Sequence, residues 1–372
     1  MQANERARPL RVGVVGLGRL GRRHALNLAY RVPGAVLAAA CSPLDDDLAW
    51  ARDTLPATRL YGDYAQLLAD SEIDAVWLVT PSSLHAQQIV DALRAGKHVF
   101  CEKPLSLDVA ECERVVDEAR RHAGQQVMIG FMRRFDPSYH DAFEKVRAGK
   151  IGKPFLVRSQ NCDLNDPDGF FVRFAPTSGG IFLDCTVHDI DVARWLLGKP
   201  RATRVYAAGA IALHDGLRDF GDVDNGVAIC EFEGGKLAMF YASRTMAHGN
   251  DTSSEVIGTA GALAIGRVPR SNRVEIYDAL GVRSECTPTF FERFEEAFLI
   301  EAQAFVASVR ARLNGATADA GEGASLEDAL EATRIGCALR ESLHTGQAVT
   351  LCTRAGCIRR AFMGERSRAL LR

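Results

Sequence analysis

Between residue 10 and about residue 131, short apolar runs alternate with amphipathic stretches. The runs at 11–15, 36–41, 75–79, 98–101 and 126–131 have the length of buried strands. The stretches at 21–30, 44–54, 64–68, 83–95 and 108–122 gather their apolar residues on one helical face. This alternation predicts a parallel sheet with helices on both faces. Beyond residue 149 the strand signals lose their intervening helices. Segments 155–161, 201–211, 225–232, 236–247, 254–258 and 262–265 are β-rich, with Gly234-Gly235 and Thr259-Ala260-Gly261 at hairpin positions. A helix at 186–197 interrupts them, and helices at 292–312 and 326–344 follow. The pattern predicts an α/β domain at 1–131 and an α+β domain at 132–352 built on a large, open, mainly antiparallel sheet. The biased loop 314–324 is expected to be exposed and mobile. A basic tail at 353–372, with six arginines against one glutamate, is expected to be solvated or disordered.

Composition narrows the class. A chain of 372 residues with 47% apolar residues can bury two cores, and a net charge of −2 gives no footprint for nucleic acid or an acidic membrane. No apolar run is long enough to span a bilayer, and no signal core follows the polar N-terminus. The ten cysteines form neither a C-x-x-C pair nor a zinc-spaced cluster, so no metal is expected and the usage fits a reducing cytoplasm.

Gly16-Leu17-Gly18-Arg19-Leu20-Gly21 lies where the first strand meets the first helix, the place where backbone N–H groups hold a dinucleotide pyrophosphate. Gly16 permits the turn, Gly18 the approach of phosphate and Gly21 close helix packing, with the N–H groups of Arg19 and Leu20 facing the phosphate. The first domain is therefore expected to be a Rossmann domain. The second strand ends in Cys41-Ser42-Pro43 rather than in the acid that often binds the adenosine ribose. Ser42 could take a ribose hydroxyl or a 2′-phosphate, but Asp45-Asp46-Asp47 would repel the phosphate and no Arg or Lys is in sequence reach to neutralise it. NAD is favoured and NADP remains possible. Thr80, Pro81 and His85 follow the third of these strands at the carboxyl edge of the sheet; Ser82 or Ser83 there would also serve as a helix cap, and His85 fits either the cofactor cleft or a packing role.

Glu102-Lys103-Pro104 also follows a strand and offers a lysine for proton exchange beside a nicotinamide. Asp184 and His188, four apart on the expected helix at 186–197 and its approach, project from one face, and Asp191 joins them by spacing. The alternative for this set is a mutually satisfied Asp–His pair in the core. The stretch from Ser159 to Arg173 is rich in groups that bond hydroxyls; Asn161, Asp163 and Arg173 are its candidates for substrate binding, although Asp166-Pro167-Asp168-Gly169 equally reads as a plain turn.

These motifs, with Gly130-Phe131-Met132-Arg133-Arg134-Phe135 and the segment from Gly179 to Asp191, occur together and in order from about residue 10 to residue 352. In this the chain resembles the glucose–fructose oxidoreductase and inositol 2-dehydrogenase family, most of all the inositol 2-dehydrogenases and related cyclic polyol and sugar dehydrogenases. The resemblance implies that Lys103, Asp184 and His188 are catalytic and that Arg133 contacts substrate. It implies oxidation of a secondary ring hydroxyl to a ketone with NAD, His188 taking the hydroxyl proton. The expected acid limb then lies near pH 6.5, displaced upward by Asp184 and downward by burial. Two alternatives stand beside it: an NADPH-dependent keto-sugar reductase of the same fold, and a sugar-sensing regulator that binds dinucleotide without turnover. An open sheet face needing cover points to a homo-oligomer, a tetramer or dimer.

Overall fold

The computed structural model describes residues 8–55, 57–315 and 323–351, and the backbone of 358–360. The first domain runs β1 (Leu10–Val15), α1 (Arg19–Tyr30), β2 (Ala35–Cys41), α2 (Asp45–Thr54), β3 (Arg59–Tyr61), α3 (Tyr64–Ala69), β4 (Ala75–Leu78), α4 (Ser82–Arg94), β5 (His98–Glu102), α5 (Val109–Arg121) and β6 (Val127–Gly130). Its strands lie in the order β3-β2-β1-β4-β5-β6, all parallel. The order reverses between β1 and β4, so the glycine turn after β1 opens at the crevice where such sheets bind ligands. β4 and β5 are buried throughout, as expected for strands covered on both faces.

The second domain adds α6 (Pro137–Arg147), β7 (Pro154–Leu164), α7 (Phe170–Ser178), α8 (Ile181–Asp184), α9 (Val187–Leu196), β8 (Ala202–Ala210), β9 (Asn225–Phe232), β10 (Lys236–Met246), β11 (Asp251–Gly258) and β12 (Gly261–Ile265). A small hairpin of β13 (Ile276–Asp278) and β14 (Gly281–Arg283) precedes α10 (Phe290–Leu313), α11 (Leu326–Thr345), β15 (Val349–Leu351) and β16 (Ile358–Arg360). The large sheet has the order β12-β11-β7-β10-β9-β8-β15-β16. It is antiparallel except at its centre, where β7 and β10 run parallel. The three helices and two strands between them bring β10 back beside β7 in the same direction, which hairpin signals alone do not reveal.

Both expected hairpins are present, with Gly234 and Gly235 at φ 74° and 72° between β9 and β10. Two helices stand beyond those the periodicity predicts: α6, which Asp136 caps through the N–H groups of Ser138 and Tyr139, and α7, which starts after Gly169 at φ 75°. The tail expected from residue 353 contributes β16, paired antiparallel with β15; the rest of it, and residues 316–322 of the biased loop, lie outside the described residues. Helix α10 belongs to the second half of the chain yet packs its Ala302, Phe305, Val306 and Val309 into the core of the first domain with Val12, Leu28, Trp77 and Phe100. Phe305 meets the stacked pair of Trp77 and Phe100 edge-on.

Candidate active site

The glycine turn is shaped by close backbone approach. At Gly16, φ is +92° and a Cβ would meet the Val79 carbonyl oxygen at 2.5 Å; at Gly21 a Cβ would meet the Gly16 oxygen at 2.0 Å. Nothing lies within 4 Å of a Cβ built on Gly18, and no side chain caps α1. The start of α1, where Arg19 and Leu20 line a cavity between the two domains, is thus uncapped by any side chain at the positive end of the helix dipole, which suits a pyrophosphate.

At the end of β2 the geometry corrects the sequence reading. The Ser42 hydroxyl donates to Asp47 Oδ2 at 2.7 Å, and Asp47 Oδ1 accepts from Arg22 at 3.0 Å. An arginine is therefore in reach after all, delivered from α1, and it is already neutralised by Asp47. Asp45 and Asp46 are exposed in the first turn of α2, whereas Asp47 is buried. Farther along the edge, Pro81 occupies the cap position of α4 without a side-chain bond, so neither Ser82 nor Ser83 caps it. Thr80 bonds Gln88, and buried His85 lies between the carbonyls of Pro104 at 2.7 Å and Thr80 at 2.9 Å. His85 thereby ties the Thr80 loop to the loop after β5, the packing role of the two.

A cavity of about 360 Å³ opens between the two domains beside this turn. Arg19, Leu20, Glu102 and Lys103 line its first-domain side; Arg133, Asn161, Asp163, Asp184, Cys185 and His188 line the other. Lys103 Nζ donates to the Asp184 carbonyl at 2.8 Å and lies 3.5 Å from Asp184 Oδ1, both side chains about one-fifth exposed. Burial pushes the Asp184 carboxyl up, but Lys103 and Arg244 outweigh it and hold the group below the usual carboxylate range. Asp163, bonded by Asn250 at 3.1 Å, is pushed up by burial and by the charge of Asp184. Asn161 lines the wall, but its amide is engaged at both ends, donating to the Cys185 carbonyl and accepting from Thr252.

His188 is buried, packs edge-on against Phe131, and its Nδ1 has no partner among the described residues. Burial, then the charges of Lys103 and Arg133, hold its imidazole well below the ordinary value. The upward displacement expected from Asp184 is not among these influences. Asp184 closes α8 and His188 lies in the first turn of α9, the two short helices being joined through Cys185 and Thr186, and both side chains line the cavity. Asp191 points away altogether and binds Arg134 at 2.6 and 2.9 Å. Arg173 is exposed and donates to the Asp168 carbonyl, so it holds the start of α7 outside the cavity. Asp166 accepts from the Asp168 N–H, so Asp166-Pro167-Asp168-Gly169 is the plain turn.

Two contributions were not anticipated. An aromatic wall of Phe170, Phe171, Phe174, Phe290, Phe294 and Phe298 closes the cavity, with the Arg19 guanidinium over Phe170 at 4.9 Å. The spacing 290, 294, 298 is a helical stripe visible in the sequence. The other is Arg244, fully buried between Asp184 and Asp222, for which the sequence offers no local signal. Behind Glu102, whose Oε1 lies 2.9 Å from His24 Nε2, sits Glu301, wholly buried, neither oxygen having a partner among the described residues. Burial and the neighbouring Glu102 push its carboxyl well up.

Residues 10–131 match the oxidoreductase family with an NAD-binding Rossmann fold, and residues 139–264 match the GFO/IDH/MocA C-terminal domain. The chain is 38% identical to a scyllo-inositol 2-dehydrogenase (NAD(+)) of Bacillus subtilis, over 95% of this chain and 98% of that one. It is 34% identical to a myo-inositol 2-dehydrogenase of Thermotoga maritima over 92% and 98% of the two chains. A solved structure of scyllo-inositol dehydrogenase from Lactobacillus casei, with bound NAD(H) and scyllo-inositol, superposes with a TM-score of 0.86 at 40% identity, covering 92% of this chain and 99% of that one. The glycine turn that approaching phosphate requires, the interdomain cavity and these likenesses lead to one assignment: the chain belongs to the GFO/IDH/MocA family of NAD-dependent oxidoreductases.

Proposed function

We propose that this oxidoreductase oxidises a secondary ring hydroxyl of a cyclic polyol, an inositol of the scyllo or myo type, to the ketone. The observation that carries the reading is the convergence of Lys103 from one side and Asp184 and His188 from the other on the cavity beside the glycine turn. Bound NAD supplies a nicotinamide C4 that accepts the carbon-bound hydrogen as hydride. His188, kept neutral by burial and by Lys103 and Arg133, takes the hydroxyl proton. Lys103, held by Asp184, bonds the reacting oxygen and hands protons outward; Asp184 orients both lysine and substrate. Arg133 and Asp163 bond the remaining hydroxyls, and the phenylalanines cover the C–H faces of the ring and exclude water.

The cofactor groups are the N–H groups of Arg19 and Leu20, with Thr80, Pro81 and Glu102 along the sheet edge. Asp47, fixed by Ser42 and Arg22, disfavours a 2′-phosphate, which argues against the NADPH-dependent reductase. A panel of inositols and monosaccharides with NAD and NADP, followed at the reduced-nicotinamide absorbance, tests the reading. The expected result is turnover of an inositol with NAD; turnover of none would end it.

No helix among the described residues is long and apolar enough to cross a membrane. Every cysteine among them is unpaired, which supports a place in the reducing cytoplasm. The large sheet exposes Tyr206, Val227, Ile229, Leu237 and Met239 on the face away from its helices. Apolar side chains alternating onto a bare sheet face support a dimer or tetramer joined there. Light scattering is expected to give an oligomeric mass, and Ile229→Glu a smaller one.

A further inference from the structure

Helix α8 is four residues long, too short to hold its own geometry, yet it ends on Asp184. Its two ends are joined through two side chains from elsewhere. The Ile181 N–H donates to Asp222 Oδ1 at 2.9 Å. Asp222 Oδ2 accepts from Arg244 Nη1 at 2.8 Å, and Arg244 Nη2 donates to Asp184 Oδ2 at 3.2 Å. The Arg244 guanidinium is fully buried and lies 5.5 Å from the ring centre of Phe171 in the cavity wall. Strand β10 delivers it: Ser243 pairs with Cys162 of β7, so Arg244 emerges level with the Asn161 to Asp163 wall.

We infer that Arg244, backed by Asp222, is a positioning residue for the oxidation, fixing Asp184 by Oδ2 so that Oδ1 stays turned to Lys103. The inference rests on the role of Asp184 given above. The groups facing the Asp184 carboxyl are Lys103 just after β5, Arg244 from β10, Asp163 from β7 and the adjoining Cys185. Of these Arg244 is the one that forms an ion pair with a second carboxylate, that of Asp222. A buried arginine costs several kcal/mol in desolvation, offset here by one carboxylate on each terminal nitrogen while Nε has no partner among the described residues, so its two carboxylate contacts at the site suit orientation better than a packing role.

The test compares Arg244→Met, Arg244→Lys, Asp222→Asn and the Met/Asn double variant by kcat, KM, NAD affinity and pH profile. For Arg244→Met, kcat is expected to fall about 10- to 100-fold, as for a lost hydrogen bond to a charged group, with NAD affinity within about twofold of the parent. The acid limb of kcat/KM should gain a second component at higher pH beside that of His188, because Lys103 is held by an ionised Asp184 and a charge that holds that carboxyl down has gone. Asn at 222 still accepts from the Ile181 N–H, so Asp222→Asn should act only through Arg244: a smaller loss alone, and none added to Arg244→Met. Arg244→Lys should restore part of kcat. An unmoved acid limb with kcat and NAD affinity falling together, or additive losses in the double variant, would overturn the inference. If Arg244→Met does not fold, Arg244→Lys and Asp222→Asn carry the same comparison: a lysine reaches one carboxylate at a time, so a wild-type kcat and limb in both would be decisive against it. Asp184→Asn separates the two levels. Normal turnover there removes the role of Asp184, whereas slow turnover there with a normal Arg244→Met removes the positioning pair alone.

Discussion

Arg133 and Arg134 are adjacent in one short turn, equally buried, and each is held by an aspartate of α9. Their surroundings differ in one respect. Arg134 uses every nitrogen: Nε and Nη2 on Asp191, Nη2 also on Asp328, Nη1 on the Gly323 carbonyl, and Asp328 in turn holds Arg194 and Lys199. Arg133 gives Nη1 to Asp189 at 2.7 Å, while its Nε and Nη2 have no partner among the described residues and the side chain lines the cavity. A satisfied buried ion network holds the fold; a buried guanidinium with donors to spare at a cavity wall is suited to a ligand rich in hydroxyls.

The cavity side of this comparison should break hardest at its base. His188→Ala is expected to lower kcat on the order of 10²–10⁴, with Lys103→Ala similar, while NAD affinity and thermal midpoint change little. On the other side, Arg134→Met should leave Asp191 buried without its partner and cost about 3–5 kcal/mol of stability, read by denaturant unfolding. Its kcat, in whatever fraction folds, should remain near normal. Arg133→Met should do the reverse: a loss of about 10- to 100-fold in kcat/KM, carried mainly by KM, with a smaller change in stability. The smaller stability cost follows because the Asp189 carboxyl, already pushed up by burial, can take a proton once its arginine is gone. Equal stability losses in Arg133→Met and Arg134→Met would erase the distinction.

A pH profile sharpens it further. Oxidation needs a neutral imidazole, and His188 is held well below its ordinary value, so kcat/KM should already be flat at about pH 6.5, with its acid limb lower. In Arg133→Met the limb should move up, since one of the cations opposing imidazolium has been removed. Stability follows the same sign: a histidine depressed in the folded state favours folding above the unfolded value, and that contribution is lost as pH falls toward the folded one. The smallest effect concerns Glu301. Its carboxyl is raised in the folded state, so its contribution is present below the unfolded value and lost as pH rises toward the folded one. Glu301→Gln should therefore be more stable than the parent at neutral pH, with the gap in thermal midpoint narrowing toward pH 4.5.

Local signals carried much of this into the sequence. Gly16 and Gly21 are legible because backbone contact forbids a Cβ there, and Lys103 because strand periodicity puts it at a sheet edge. Asp184 and His188 both line the cavity, but from two successive helices where the spacing suggests one; a single apolar run does not display that division. Asp191 was drawn into the set by spacing alone and belongs to Arg134. Spacing offers Ser42 to the ribose and Arg173 to the substrate, whereas their partners, Asp47 and the Asp168 carbonyl, are set by side-chain direction rather than order in the chain. Arg244 is sixty residues from Asp184, a distance closed only by the parallel pairing of β7 with β10, and no periodicity encodes that pairing.

The return of α10 to the first domain has a consequence for how the chain is made. Trp77 and Phe100 gain the edge-on cover of Phe305 more than two hundred residues after Trp77 leaves the ribosome. Until then the nascent nucleotide-binding half carries a wet, sticky patch of aromatic surface. A chain stopped at residue 131 would keep that patch permanently, and would be a substrate for chaperones rather than a minimal NAD-binding fragment.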